Sequence, residues 1–202
     1  MTLYIVGITV LVSYWAFRSE PVMNRLQFNA SKVYHKHEWY RLLSHAFVHA
    51  NWEHLIINML VFYSFGTVLE RIFQYEWGAV GVVFYLILYF GAVLFSNVYS
   101  LFQHRDDFYY NAVGASGGVS AIIFCNIFFD PWNPVYFFGI IPIPGFLFAM
   151  IYLGYSYYMS RKNSDNIGHD AHFLGALFGF LFPIILHPGL FRTFLDRLFM
   201  IS

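Results

Sequence analysis

Ser116 stands in the run Asn111-Ala112-Val113-Gly114-Ala115-Ser116-Gly117-Gly118-Val119-Ser120-Ala121, a stretch of small residues in a chain otherwise crowded with Phe and Tyr. Gly114, Gly117 and Gly118 have no Cβ, so a neighbouring helix or an extended substrate can approach the backbone beside this hydroxyl. A serine attacks a carbonyl only when a base takes its proton, and an imidazole titrating near neutrality suits that task. His172 is the candidate base for Ser116. An acyl-transfer intermediate also needs donors for its oxyanion, and His54 and Asn58, four residues apart on one helix face, can supply them with the Ser116 backbone amide. An acidic third member is not evident. Asp170 is about 200° around a helix from His172 and points away, which leaves Asp106 and Asp165, both in connections, as candidates.

Other chemistry is available to the same histidines. His45 and His49 precede His54 at offsets of four and five and could join it on a metal, although no acidic or thiolate ligand shares their face. His54 or His172 could ligate haem, with no haem-attachment motif to support it. His54 and Asn58 could also serve only as hydrogen-bonding glue between helices.

The elements that must position these groups are membrane helices. The 202 residues are 59% hydrophobic and 11% charged, well below the charged fraction of about 25% in soluble domains. Net charge is zero and no basic run occurs, so nucleic-acid binding has no electrostatic footprint. The single Cys125 excludes a disulfide framework and a cysteine metal site. Residues 1 to 17 lack a basic segment and a cleavage site of small residues, and read as a retained first span.

Six apolar stretches approach the roughly 20 residues that cross hydrocarbon: 2–18, 52–70, 77–97, 112–129, 135–159 and 171–186. The long connections, 18–51, 99–111 and 161–170, all fall on one side, so spans two, four and six all begin there. Asn51 is a plausible cap for span two and Asp170 for span six. His54, Ser116 and His172 thereby share one depth. Gly117, Ala121 and Cys125 form a small-residue stripe on span four, and Ala171, Gly175 and Gly179 a matching one on span six. If the stripes face each other, Ser116 and His172 come within hydrogen-bond reach. The connection 18–51 mixes charge with aromatics, as suits a membrane interface, and residues 191 to 200 read as a short surface helix with Arg192 and Arg197 outward.

With these residues in place the sequence resembles the rhomboid family of intramembrane serine proteases. The likeness rests on Gly114-Ala115-Ser116-Gly117, on Ala171-His172 followed by Gly175 and Gly179, on His45, His49 and His54-Leu55-Ile56-Ile57-Asn58, on Gly66-Thr67-Val68-Leu69-Glu70, and on Glu38-Trp39-Tyr40-Arg41. It implies an all-α, polytopic bundle of six transmembrane helices, one domain over 1–202, in the minimal bacterial-type form. It further implies Ser116 as nucleophile, His172 as general base, His54 and Asn58 as oxyanion stabilisers, Gly114 and Gly117 as site backbone, and Arg41 and Glu70 as structural residues. The expected activity is endoproteolysis in or beside transmembrane segments of other membrane proteins, at bonds with a small residue in a locally unstable helix. No cofactor, metal or nucleic acid is implied, the surroundings are the lipid bilayer, and oligomeric state is open.

The alternative is a catalytically inactive relative that binds transmembrane clients. Such relatives lack the Ser or the His, whereas both are present here. Two details depart from the family pattern: the Trp-Arg pair is spread over Trp39-Tyr40-Arg41, and Ser120 stands where some members carry an aromatic packed on the catalytic histidine. Another Phe or Tyr would then hold His172. The resemblance places the protein in the cell (inner) membrane with its amino terminus in the cytoplasm and its site opening to the extracytoplasmic side. A positive-inside count gives the reverse, since Arg18, Arg25, Lys32, Lys36, Arg41, Arg105, Arg161 and Lys162, eight of the 11 Lys and Arg residues, lie on the long-connection side. Folded connections escape that rule, and the family orientation is the one adopted.

Overall fold

The computed structural model describes residues 1–137, 139–162 and 168–201. Helix α1 (Thr2–Arg18) is followed by a folded connection holding α2 (Glu20–Leu26), α3 (Ala30–Lys36), α4 (Arg41–Ser44) and a 3-10 turn (His45–Phe47). Asn51 then closes the connection as the cap, its Oδ1 accepting from the His54 amide at 2.8 Å, and α5 (Trp52–Trp77) runs to Gly78, whose φ of 58° ends it. Helices α6 (Ala79–Ser96) and α7 (Val98–Gln103) meet at Asn97, and α8 (Ser116–Phe129) opens on the serine itself. A hairpin of β1 (Pro134–Phe137) and β2 (Ile141–Pro144) leads into α9 (Gly145–Lys162), and α10 (His169–Leu186) and α11 (Leu190–Leu198) complete the described chain.

Helix α8 is the axis. All of its residues except Ser116 are buried, and α10, α6 and α5 surround it. Helix α9 is the opposite case, burying only Gly145 and Ser156, so it lies at the rim. The outer faces carry Leu3, Leu11, Trp15, Ile56, Leu60, Ile87, Met150 and Ile185, all half or more exposed. A belt of that size would be intolerable in water and is the normal surface of a protein solvated by lipid. Three helices, Trp52–Trp77, Ala79–Gln103 and His169–Leu186, are long and apolar enough to cross a membrane, while Thr2–Arg18 and Ser116–Phe129 are shorter apolar helices.

The boundaries expected from hydropathy need correction, beginning with span four, expected from 112 but helical only from Ser116. Span two continues to Trp77, because nothing breaks the helix before Gly78. The stretch taken as span five does not start as a helix: Pro134, Pro142 and Pro144 cannot donate to a helical ladder, and residues 134–137 pair antiparallel with 141–144 instead. Finally, α10 starts at His169 with Gly168 before it, so Asp170 lies in the first turn rather than capping the helix.

The α1 to α5 contact is polar at one point. Glu70 Oε2 accepts from the Thr2 amide at 2.9 Å and from Thr2 Oγ1 at 2.8 Å, and Thr2 Oγ1 pairs with the Tyr85 hydroxyl on α6 at 2.8 Å. Gly66 is what admits this cluster, since a Cβ there would lie 2.7 Å from the Tyr85 hydroxyl. Glu70 is thus a tie between three helices, in keeping with the structural part expected of it. Arg197 is exposed, and its Nη1 also donates to the Phe129 carbonyl at 2.6 Å, because the end of α8 leaves that carbonyl without a helical partner.

Candidate active site

The two small-residue stripes do face each other. A Cβ on Gly175 would collide with the carbonyl of Gly117, and one on Gly179 with the carbonyl of Ala121, so α8 and α10 touch backbone to backbone. A Cβ on Gly117 would also meet Ser96 on α6 and come within 3.5 Å of the Ala171 carbonyl. Gly118 is closed off likewise, by Tyr89 and Val93. The glycines after Ser116 therefore serve helix approach and leave no space for an extended substrate. Their consequence for chemistry is positional: Ser116 begins α8 and His172 lies in the first turn of α10, each next to a residue of the contact. Both are partly exposed where the rest of α8 is sealed.

Gly114 does a different job. Its φ is 115°, which a side chain rarely adopts, and a Cβ would come within 2.6 Å of His54 Cε1. The chain leading into Ser116 is thereby pressed against the His54 imidazole. Asn58, one turn deeper and buried, donates from Nδ2 to the His54 carbonyl at 2.9 Å. That bond uses one of its two amide protons.

The first connection holds this geometry. Phe28 and Ala112 exchange both backbone hydrogen bonds, and Asn29 Nδ2 donates to the carbonyls of Phe108 and Tyr110 and to Asn111 Oδ1. The Gly114 amide donates to the His45 carbonyl at 3.0 Å. Arg41 is buried at the base of the connection, its Nη1 donating to the carbonyls of Asn24 and Gln27 at 2.9 and 2.7 Å and its Nε to Glu38 at 2.5 Å. That charge-assisted bond holds the Glu38 carboxyl below its usual range. One residue of spacing between Trp39 and Arg41 has not cost the connection its anchor.

His45 and His49 have separate partners. Asn97 Nδ2 donates to Val93 and to His45 Nε2 at 3.0 Å, which leaves His45 Nδ1–H to donate to the Arg41 carbonyl. Ser13 gives its proton to the Phe47 carbonyl, so its Oγ accepts from His49 Nδ1–H at 3.0 Å. The two bonds to His45 fix a neutral imidazole, with Nε2 accepting and Nδ1 donating, whereas the bond to His49 fixes only Nδ1 as a donor. The His49 ring sits edge-on to His54, with centroids 5.0 Å apart.

Burial pushes His45 down to about 4 and His49 to about 3, so between pH 6.5 and those values the unfolded chain binds protons that the folded one refuses. The sign follows: stability is intact above about pH 6.5 and is lost as pH falls, by about 1.4 kcal/mol per unit per histidine. Thermal unfolding in detergent should therefore show a lower midpoint at pH 5 than at pH 7.5, with a smaller drop in His45→Gln. A midpoint equal at both pH values would refute this.

The acidic candidates are dispersed. Asp170 accepts from Ser100 Oγ on α7, away from His172, and Asp106 is an exposed partner of His35 at 3.0 Å. Asp165 lies outside the described residues. The aromatic beside His172 that the sequence did not identify is Tyr152 on α9, with ring centroids 6.3 Å apart and planes at 25°. Ser120, with no obvious role in the sequence, meets the Tyr152 hydroxyl at 2.6 Å. The only signal for this pair was Ser120 itself, a buried hydroxyl one turn from Ser116 in need of a partner.

Apolar helices packed backbone to backbone, with a belt of exposed apolar side chains around them, define the molecule as a helical membrane protein. Residues 36–189 match the family model described as the Rhomboid domain, and the chain belongs to the rhomboid family. It is 27% identical over 205 residues to "RHOMBOID-like protein 12, mitochondrial" of Arabidopsis thaliana, covering 94% of this chain and 59% of that protein. In Bacillus subtilis (strain 168) it is 28% identical over 141 residues to "Rhomboid protease GluP", covering 70% of this chain and 25% of the relative. Identity to "Putative rhomboid protease YdcA" of the same organism is 26% over 148 residues, covering 73% of this chain and 67% of the relative. The chain thus spans only part of the length of the first two relatives.

Proposed function

We propose that the protein is an intramembrane serine endopeptidase that hydrolyses peptide bonds in or beside transmembrane segments of other membrane proteins. The observation that carries this reading is the backbone contact at Gly117 and Gly175, which sets the helix starts bearing Ser116 and His172 side by side. Ser116 Oγ attacks the scissile carbonyl carbon while His172 takes its proton. The resulting oxyanion accepts from the Ser116 amide, His54 and the second Asn58 amide proton. His172 then passes the proton to the leaving amine, and water, activated by the same imidazole, hydrolyses the acyl ester. Gly114 and Gly117 shape the backbone around these steps. Two Bacillus relatives that carry the word protease in their names support the reading.

In this reading six helices span the cell membrane, the amino terminus is cytoplasmic, and the site opens to the extracytoplasmic side. The folded first connection supports that orientation against the charge count: Arg41 is buried and neutralised by Glu38, so it does not act as a free loop charge.

The test is labelling of detergent-solubilised protein with a fluorophosphonate probe. Wild type should label, and Ser116→Ala and His172→Ala should not. A folded wild type that neither labels nor cuts a generic transmembrane substrate would overturn the reading in favour of a client-binding protein.

A further inference from the structure

An imidazole on a helix turns about two side-chain bonds, and a base must present one nitrogen to one hydroxyl. What fixes the plane of His172 is therefore a question with a structural answer. His169 meets it edge-on at 6.0 Å, and Tyr152 lies nearly parallel to it. The Tyr152 ring is itself confined: Phe148 stacks on it at 5.6 Å from the same helix, and Phe124 packs at 5.5 Å from α8. Its hydroxyl is tied down by the 2.6 Å bond to Ser120, which is 2% exposed and one helical turn from Ser116. The serine on α8, the tyrosine on α9 and the histidine on α10 form a chain of contacts that starts and ends beside the reacting groups.

We propose that Tyr152 is the positioning residue for His172, and that Ser120, by anchoring the Tyr152 hydroxyl to α8, registers the imidazole plane to Ser116. This rests on the reading of Ser116 and His172 as nucleophile and base. The ring supplies a flat surface that allows the imidazole to slide only in its own plane, and the buried hydroxyl pair stops the ring from turning. Because Tyr152 belongs to the rim helix, the alignment exists only while α9 is docked on α8.

The experiment measures kcat and KM per active site, with sites counted by fluorophosphonate titration, for Tyr152→Phe, Ser120→Ala, the double variant and Tyr152→Leu. Tyr152→Leu removes the stacking surface and should lower kcat about 100-fold with KM within about twofold, since a misaligned base costs rate rather than binding. Tyr152→Phe and Ser120→Ala each remove one end of the same bond and should each lower kcat about fivefold, with the double variant no slower than either single one. These two mild variants carry the test should Tyr152→Leu fail to fold. A merely structural pair would reduce the number of titrated sites and leave kcat per site unchanged, and that result, or additive losses in the double variant, would overturn the proposal. Failure of wild type to label would instead strike the underlying assignment of Ser116 and His172.

Discussion

Gly179→Ala is expected to destabilise the protein by about 3 kcal/mol or more, although it adds a single methyl group to a helix. The added Cβ would run into the carbonyl, Cα and carbonyl carbon of Ala121, which are backbone atoms of a helix buried on every side. No rotamer relieves that collision, so α8 and α10 must separate, and their seam is the centre of the fold. Total stabilities of about 5–15 kcal/mol leave little room for such a loss. Gly154→Ala supplies the contrast, because nothing lies within 4 Å of a Cβ there and alanine is the better helix former by about 1 kcal/mol. Thermal unfolding of both variants in the same detergent decides the matter: a Gly179→Ala midpoint no lower than that of Gly154→Ala would show that the seam is looser than the structure has it.

Ser116→Ala is expected to abolish cleavage of a transmembrane substrate in proteoliposomes, a fall of about 10⁴-fold or more, with folding intact because Ser116 is the one residue of α8 that is not buried. His172→Ala should cost about as much, and the double variant no more than either, as groups that act in one step are not additive. His54→Ala and Asn58→Ala should each reduce kcat about 100-fold with little change in KM, the mark of donors that meet charge only in the transition state. Cleavage that survives Ser116→Ala would remove the nucleophile from the mechanism altogether.

Much of the site was legible in the sequence because its logic is periodic. Small residues every four positions on two apolar stretches favour close helix approach, and the polar residues at the heads of those stretches are then brought to the same neighbourhood. Asn51 could be read as a cap from its place alone, and its bond to the His54 amide follows. The hairpin before α9 was hidden because residues 134–144 are as apolar as a span, and hydropathy does not distinguish an extended strand from a helix; only the three prolines do. Tyr152 was hidden for a different reason. Sixteen residues of chain in this protein are tyrosine, and which of them stacks on His172 is decided by how α9 leans on α8, a tertiary fact with no local signature. Arg197 shows the same limit, since its partner is a helix-end carbonyl that no pattern marks.

The brevity of α8 reaches beyond packing. Fourteen residues rise about 21 Å, against a hydrocarbon thickness of about 30 Å. One end of the helix must stop inside the bilayer. The Phe129 end is followed by Asp130 and Trp132, with Arg197 on its last carbonyl, residues that belong at a membrane surface. The sunken end is therefore the one that carries Ser116. If the helix stands upright in the bilayer, the Ser116 end lies about 9 Å below the level at which the hydrocarbon begins. Whatever thickens the surrounding lipid would set that end deeper, so on the proposed reading the access of water to Ser116 would depend on the membrane as well as on the protein.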